Sequence, residues 1–84
     1  VDARQVTVLG FGAVRDVLGA ERLVWALPEG TRVQDLLESL ERTYPTLHAH
    51  RSRLAYAVNA QWSNLDSVLK DGDELALLSP VSGG

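Results

Sequence analysis

The sequence predicts an α+β domain, with one main helix packed across one face of a mixed sheet. Three observations point to this fold. Short runs rich in β-branched and apolar residues recur at 4–11, 21–27, 54–58 and 74–78, as strands do. Between the second and third lies the only extended stretch with apolar residues at helical spacing, from Thr31 to Tyr44. Finally, 84 residues make one small domain that buries about 60–65% of its unfolded surface. A single helix and a single sheet must then supply the core between them.

Each element has a local cause. Arg4 to Phe11 reads as the first strand, interrupted by Gly12. Ala13 to Leu18 forms a short helical turn that Gly19 closes, glycine being a good C-terminal stop. Glu21 to Leu27 is a second strand ended by Pro28-Glu29-Gly30. The main helix is expected from Thr31, because Thr31 and Gln34 have capping-box spacing. Val33, Leu36, Leu37, Leu40 and Tyr44 make its apolar stripe, with Glu38 and Arg42 paired on the wet side. Pro45 stops it by pushing the preceding residue out of the α region. Thr46 to Arg53 is expected to be an irregular crossing segment. Leu54 to Val58 is the third strand, Asn59-Ala60-Gln61 a turn, Trp62-Ser63 a very short strand, and Leu65 to Leu69 a brief helical turn. Lys70-Asp71-Gly72-Asp73 is a strong turn, with Gly72 free to take positive φ. Glu74 to Leu78 is the last strand. A domain over 1–79 is thus followed by a flexible tail, 80–84, ending in Gly83-Gly84.

Strand parity divides the apolar residues into two sets. Val6 and Val8 point one way while Leu9 and Phe11 point the other. In the last strand Leu75 and Leu77 oppose Ala76 and Leu78. One set covers the helix; the other lies on the second face, where apolar residues mark a partner surface unless loops cover them, and a chain this short has few residues left to do so.

Composition removes several functions. No cysteine is present, so disulfides, thiolate zinc sites and a cysteine nucleophile are excluded. The net charge is −3 and the basic residues are scattered, with His48 to Arg53 as the densest group. Nucleic acid is therefore not expected as a partner, because the phosphate backbone calls for clustered cations. No apolar run approaches the roughly 20 residues a bilayer requires, and Val1 to Gln5 is unlike a signal peptide. The expectation is a soluble, cytoplasmic protein with no membrane partner. At about 4–13 kcal/mol of stability, such a domain has little room for an enclosed active site of its own.

The tail offers one reactive group. Pro80, Val81, Ser82, Gly83 and Gly84 follow the last strand directly. Glycines without side chains can pass through a narrow channel and bring a terminal carboxylate to another protein's active site. At this point the chain resembles a known family. Val8-Leu9-Gly10-Phe11-Gly12-Ala13-Val14-Arg15, the pair Val58-Asn59, the turn Asp71-Gly72-Asp73-Glu74 and the ending Pro80-Val81-Ser82-Gly83-Gly84 are similar to the molybdopterin synthase sulfur-carrier (MoaD) subunits, over nearly the whole chain. Their fold is the ubiquitin-like β-grasp.

The resemblance implies that a separate adenylyltransferase activates the Gly84 carboxylate with ATP and magnesium. A sulfur donor protein would convert it to a thiocarboxylate. The large catalytic synthase subunit would then consume that sulfur in building molybdopterin from cyclic pyranopterin monophosphate. This chain would be a sulfur-donating, non-catalytic subunit that binds no cofactor itself. Gly84 carries the sulfur by this resemblance, Gly83 gives clearance, and Pro80 and Val81 stiffen the start of the tail, with Ser82 between. Phe11, Trp62 and Leu78 fall where apolar contacts to the large subunit are expected. Gly10 and Gly12 stand where the family commonly has bulkier residues, and Leu77-Leu78 replace a frequent aromatic pair.

Two further readings share these features. A thiamine-pathway sulfur carrier has the same fold, tail and activation chemistry, but typically turns directly from first strand to second; the insert Ala13 to Gly19 favours the molybdopterin reading. A ubiquitin-like modifier or binding domain is the other. Elsewhere the candidates are bland. His48 and His50 are one residue apart and read as solvated loop residues rather than metal ligands. Asp71 and Asp73 lack the longer calcium-loop pattern and read as turn formers. Gly10-Phe11-Gly12 lacks the third glycine of a dinucleotide fingerprint, and Trp25 reads as a core or sheet residue.

Overall fold

The computed structural model describes residues 4–79. Pro80, Val81, Ser82, Gly83 and Gly84, and with them the division of the chain at residue 80, lie outside the described residues. Among the described residues, five strands, β1 (Arg4–Phe11), β2 (Arg22–Leu27), β3 (Ala55–Val58), β4 (Gln61–Trp62) and β5 (Glu74–Leu78), form one sheet in the order β2-β1-β5-β3-β4. β1 and β5 are parallel, and the other neighbours are antiparallel. Two α-helices, α1 (Ala13–Leu18) and α2 (Val33–Thr43), join the strands. This is the mixed sheet with one main helix that the sequence predicts.

The core forms between α2 and one sheet face. Val33, Leu36, Leu37 and Leu40 of α2 are buried against Val6, Val8, Leu75 and Leu77. The division by parity therefore holds, and the burial identifies Val6, Val8, Leu75 and Leu77 as the helix-facing set. Trp25 packs at the margin of this core, its ring 6.5 Å from that of Tyr44. No helix among the described residues is long and apolar enough to cross a membrane.

Local chemistry sets the short elements. α1 ends where Gly19 adopts φ 75° and its N–H reaches the Arg15 carbonyl at 2.9 Å. Gly10 explains how α1 can lie so close to β1. A Cβ there would sit 3.1 Å from Leu18 Cδ1, 3.2 Å from Val14 Cγ1 and 3.3 Å from the Arg15 nitrogen. Val14 and Leu18 thus fill the space that a larger residue at 10 would occupy. Gly10→Val should cost about 1–3 kcal/mol through overpacking. A thermal melt checks this, at roughly 4–8 °C of Tm per kcal/mol; an unchanged Tm would show that α1 lifts away freely.

The acidic turn before β5 sets the register of that strand. Asp71 Oδ1 accepts the Gln5 N–H at 2.8 Å, and the Gly72 N–H, at φ 87°, donates to the Gln5 carbonyl at 2.8 Å. Asp73 Oδ2 accepts the Lys70 N–H at 2.7 Å. Both aspartates therefore serve the turn. Asn59 holds β5 from the other side: its amide oxygen accepts the Glu74 N–H at 3.0 Å and its Nδ2 donates to Asp73 Oδ1 at 2.9 Å. With Ala60 it makes the left-handed two-residue turn of the β3–β4 hairpin, at φ 52° and 69°.

Four expectations are corrected. α2 begins at Val33 rather than Thr31, and Thr31 and Gln34 form no capping box. Thr31 Oγ1 donates to the Pro28 carbonyl, while Asp35 accepts the Arg32 N–H at 3.0 Å. The first helical N–H groups, of Val33 and Gln34, donate to the carbonyls of Ser67 and Leu65. Residues Pro45–Arg53 form a 3-10 helix instead of an irregular crossing; proline is tolerated at a helix start, where its missing N–H has no partner to lose. Leu65 to Leu69 is not helical: Asn64 Oδ1 accepts the Asp66 N–H, and Val68 bridges to Arg32. Glu38 and Arg42 do not pair with each other. Glu41 is the ion-pairing acid of α2, with Oε1 3.1 Å from His48 Nδ1 and 3.4 Å from Arg51.

Candidate functional site: the open face of the sheet

Alternate residues of β1 place Thr7, Leu9 and Phe11 on the side away from α2, because Val6 and Val8 are buried on the helix side. The parallel register sets Leu9 beside Ala76 and Phe11 beside Leu78. β3 continues the rows, with Ala55 opposite Leu78 and Ala57 opposite Ala76. The β3–β4 hairpin then places Trp62 opposite Ala57, and on the far edge Val24 lies opposite Thr7. The result is an apolar surface reaching across all five strands.

Large side chains on it meet solvent. Phe11 is 48% exposed, Val24 63% and Trp62 74%. Small residues separate them, since Ala55, Ala57 and Ala76 carry no side chain beyond Cβ, so the surface is shallow between its aromatic ends. Charge stands at the margin: Arg22 is paired across the ladder with Leu9, and Arg15 contacts Glu21 at 3.3 Å. A face of this composition can bind another protein by apolar burial with a polar rim. Among the described residues no group of three His, Cys, Asp or Glu could hold a metal ion.

The three apolar contacts expected from the sequence therefore share one surface, and two of them, Phe11 and Leu78, are direct cross-strand neighbours. β5 runs toward this pair and ends beside it. Ser79 follows, its Oγ 3.8 Å from the position of a Cβ on Gly12. Gly12 itself holds φ 61° and ψ −129°, a conformation that is strained for residues with a side chain. The chain thus leaves the sheet at the Phe11 end of the open face. Pro80 to Gly84, the expected tail and its sulfur-bearing glycine, lie outside the described residues. Val24 was not anticipated as part of the surface; the alternation Leu23-Val24-Trp25, with only Val24 exposed, carries its signal. The histidines belong elsewhere, since His48 sits on the 3-10 helix that packs on α2.

Comparison with known proteins adds to this geometry. Residues 8–84 match the model of the ThiS family. The chain is 41% identical over 81 residues to the molybdopterin synthase sulfur carrier subunit of Mycobacterium tuberculosis, covering 95% of this chain and 98% of that protein. Among solved structures it is similar to molybdopterin converting factor subunit 1 from Pyrococcus furiosus, with a TM-score of 0.84 and 29% identity over 93% of this chain and 99% of the other. It is also similar to a chain in the protein–protein complex of subunits 1 and 2 of the molybdopterin-converting factor from Helicobacter pylori, with a TM-score of 0.67 and 28% identity over 95% and 99% of the two chains.

Proposed function

Because the chain belongs to the ThiS family, and within it to the molybdopterin synthase sulfur carrier subunits of β-grasp fold, we propose that it is the sulfur-donating small subunit of a molybdopterin synthase. The observation that carries this reading is the exposed Phe11 beside the half-buried Leu78 at the end of the strand that leads into residues 80–84, within a family match that extends to Gly84. The open face docks the large catalytic subunit, and Gly84 delivers the sulfur into that subunit's active site. Similarity to the Helicobacter pylori complex of subunits 1 and 2 supports the choice of partner.

The chemistry follows from the weakness of a carboxylate as an electrophile. A separate adenylyltransferase, using ATP and magnesium, joins the Gly84 carboxylate to AMP and releases pyrophosphate. A sulfur donor protein then displaces AMP, leaving a thiocarboxylate. In the large subunit that sulfur is transferred to cyclic pyranopterin monophosphate. This chain contributes the sulfur and the docking surface, and the large subunit contributes the catalytic side chains. The cytoplasm, where ATP is available, is the compartment this cycle needs. The thiamine reading has less support, because α1 occupies the connection from β1 to β2.

An intact-mass measurement tests the proposal. After incubation with the cognate adenylyltransferase, ATP, magnesium and a sulfur donor, the chain ending at Gly84 should gain the mass of one oxygen-to-sulfur exchange. An unchanged mass alongside a positive control carrier overturns it, and isopeptide adducts on other proteins' lysines would select the modifier reading instead.

A further inference from the structure

We propose that two copies of this chain pair weakly through the outer edge of β2, antiparallel and centred on Val24, to make one continuous sheet. Sheet edges are natural sites for pairing between chains, and proteins protect them with short strands, prolines, lysines or bulges. The two edges of this sheet differ. β4 is two residues long. β2 has six, without proline or lysine, and its ladder with β1 runs unbroken from Leu9–Arg22 to Arg4–Leu27. Among the described residues no strand lies on its outer side.

The hydrogen-bond pattern fixes which groups that edge presents. The Gly10 N–H donates to the Glu21 carbonyl at 2.9 Å, whereas the Thr7 N–H turns the other way and donates to the Asp73 carbonyl at 2.9 Å. In an antiparallel ladder the direction alternates with each residue. Leu23, Trp25 and Leu27 therefore direct their backbone groups to β1, while Arg22, Val24 and Ala26 direct theirs outward. Pro28, which has no N–H, closes the outward row.

This row is self-complementary. With a two-fold axis at Val24, Arg22 meets the second copy's Ala26, Val24 meets its own counterpart, and Leu23 meets Trp25. Every outward N–H then finds an outward C=O, which no other register within 22–27 achieves. No two like charges stand opposite, an arrangement that would be destabilising. Val24, 63% exposed, covers its counterpart on the open-face side. Leu23 and Trp25, half-buried at the margin of the core, cover each other on the helix side. The axis stands perpendicular to the sheet, so both open faces look the same way and Phe11 and Leu78 stay uncovered. The contact is small. A strand of this length spans about 20 Å, and with a depth of about 10 Å the edge offers roughly 200 Å² per copy. Stable complexes bury about 800 Å² per partner, so the dimer fills only at high protein concentration.

Sedimentation equilibrium on the purified chain, from about 10 μM to about 1 mM, tests this together with amide exchange followed by NMR. The average mass should rise toward that of a dimer. Over the same range the amides of Arg22, Val24 and Ala26 should become at least about threefold slower to exchange, and those of Leu23, Trp25 and Leu27 should stay as they are. Val24→Lys and Val24→Glu should each remain monomeric, because like charges then face each other across the axis, and an equimolar mixture of the two should associate again. If either variant fails to fold, the wild-type amide pattern decides the matter. A wild type that is still monomeric at the highest concentration overturns the proposal. So does a dimer that Val24→Lys leaves intact; if Phe11→Asp abolishes that dimer, the open faces are the contact. Slowing of the three outward amides that requires the large synthase subunit would assign the edge to that partner, and overturns the proposal as well.

Discussion

A chain lacking Gly84 should melt with the full chain and take on sulfur at least about 100-fold more slowly. Deletion leaves a carboxylate, now on Gly83, so the loss is geometric. One residue of extended chain is about 3.3–3.6 Å, and a misplacement of only about 1 Å can cost 100-fold when a reacting atom must meet a fixed site. The new terminus falls several times that distance short. The fold should not respond, because the buried cluster of the described residues runs from Val6 to Leu77 and is completed before the tail begins. Thermal melting and intact-mass kinetics, on the same preparations, separate the two effects. Loading of the shortened chain within tenfold of the full one would show that reach to Gly84 is not what the activating enzyme requires.

Local signals made much of the fold legible in the sequence. α1 has the bounds expected of it because both its determinants are local: Gly12 breaks the strand, and Gly19 supplies a left-handed stop. β5 is bounded by the Gly72 turn for the same reason. The errors occur where the decisive partner is distant. The first N–H groups of α2 are satisfied by carbonyls of residues 65 and 67, so a cap sought among neighbouring side chains falls on the wrong residue. That pairing also explains why 65–69 is not a helix, since its carbonyls are directed at α2 instead of at their own chain. Leu65 and Leu69 have helical spacing, yet Leu69 is buried with its N–H donating to the Thr31 carbonyl, beside the bridge of Val68 to Arg32. Pro45 reads as a terminator because proline excludes the α region from the residue before it; it is equally able to begin the next helix, as it does here.

The candidate site was half legible. Parity separates Leu9, Phe11 and Leu78 from the core set, because period two follows from strand geometry alone. Parity says nothing about which strands are neighbours. Only the parallel pairing of β1 with β5, made through the Gln5–Asp71–Gly72 contacts, sets Phe11 beside Leu78. Trp62 joins the same surface through a two-residue turn in which Ala60 takes a left-handed conformation that its side chain disfavours. The sequence marks that turn but sets it one residue too long, at 59–61, and the strand one residue late, at 62–63; β4 is Gln61–Trp62, and alanine follows asparagine where glycine would be the usual choice.

Phe11→Asp should weaken association with the large subunit by about 30- to 1,000-fold, the range for losing a contact worth roughly 2–4 kcal/mol. The free protein should be nearly indifferent, because Phe11 is 48% exposed and stands outside the buried cluster. Aspartate adds a charge that must be desolvated when the complex forms, and the apolar face near it offers no cation on the same rows of β1 and β5. Leu78→Ala should act at the same place, because the two side chains are cross-strand neighbours. Their effects should then be coupled: a Phe11→Ala, Leu78→Ala cycle should show at least about 0.5 kcal/mol of interaction. Val24→Ala, on the far edge strand opposite Thr7, should lie outside that coupling. Titration calorimetry of each variant against the large subunit measures all of this. Equal affinities for wild type and Phe11→Asp would remove the open face from the docking surface. Additive losses at 11 and 78 would instead mean that the partner meets the two side chains separately, and that their cross-strand register has no part in recognition.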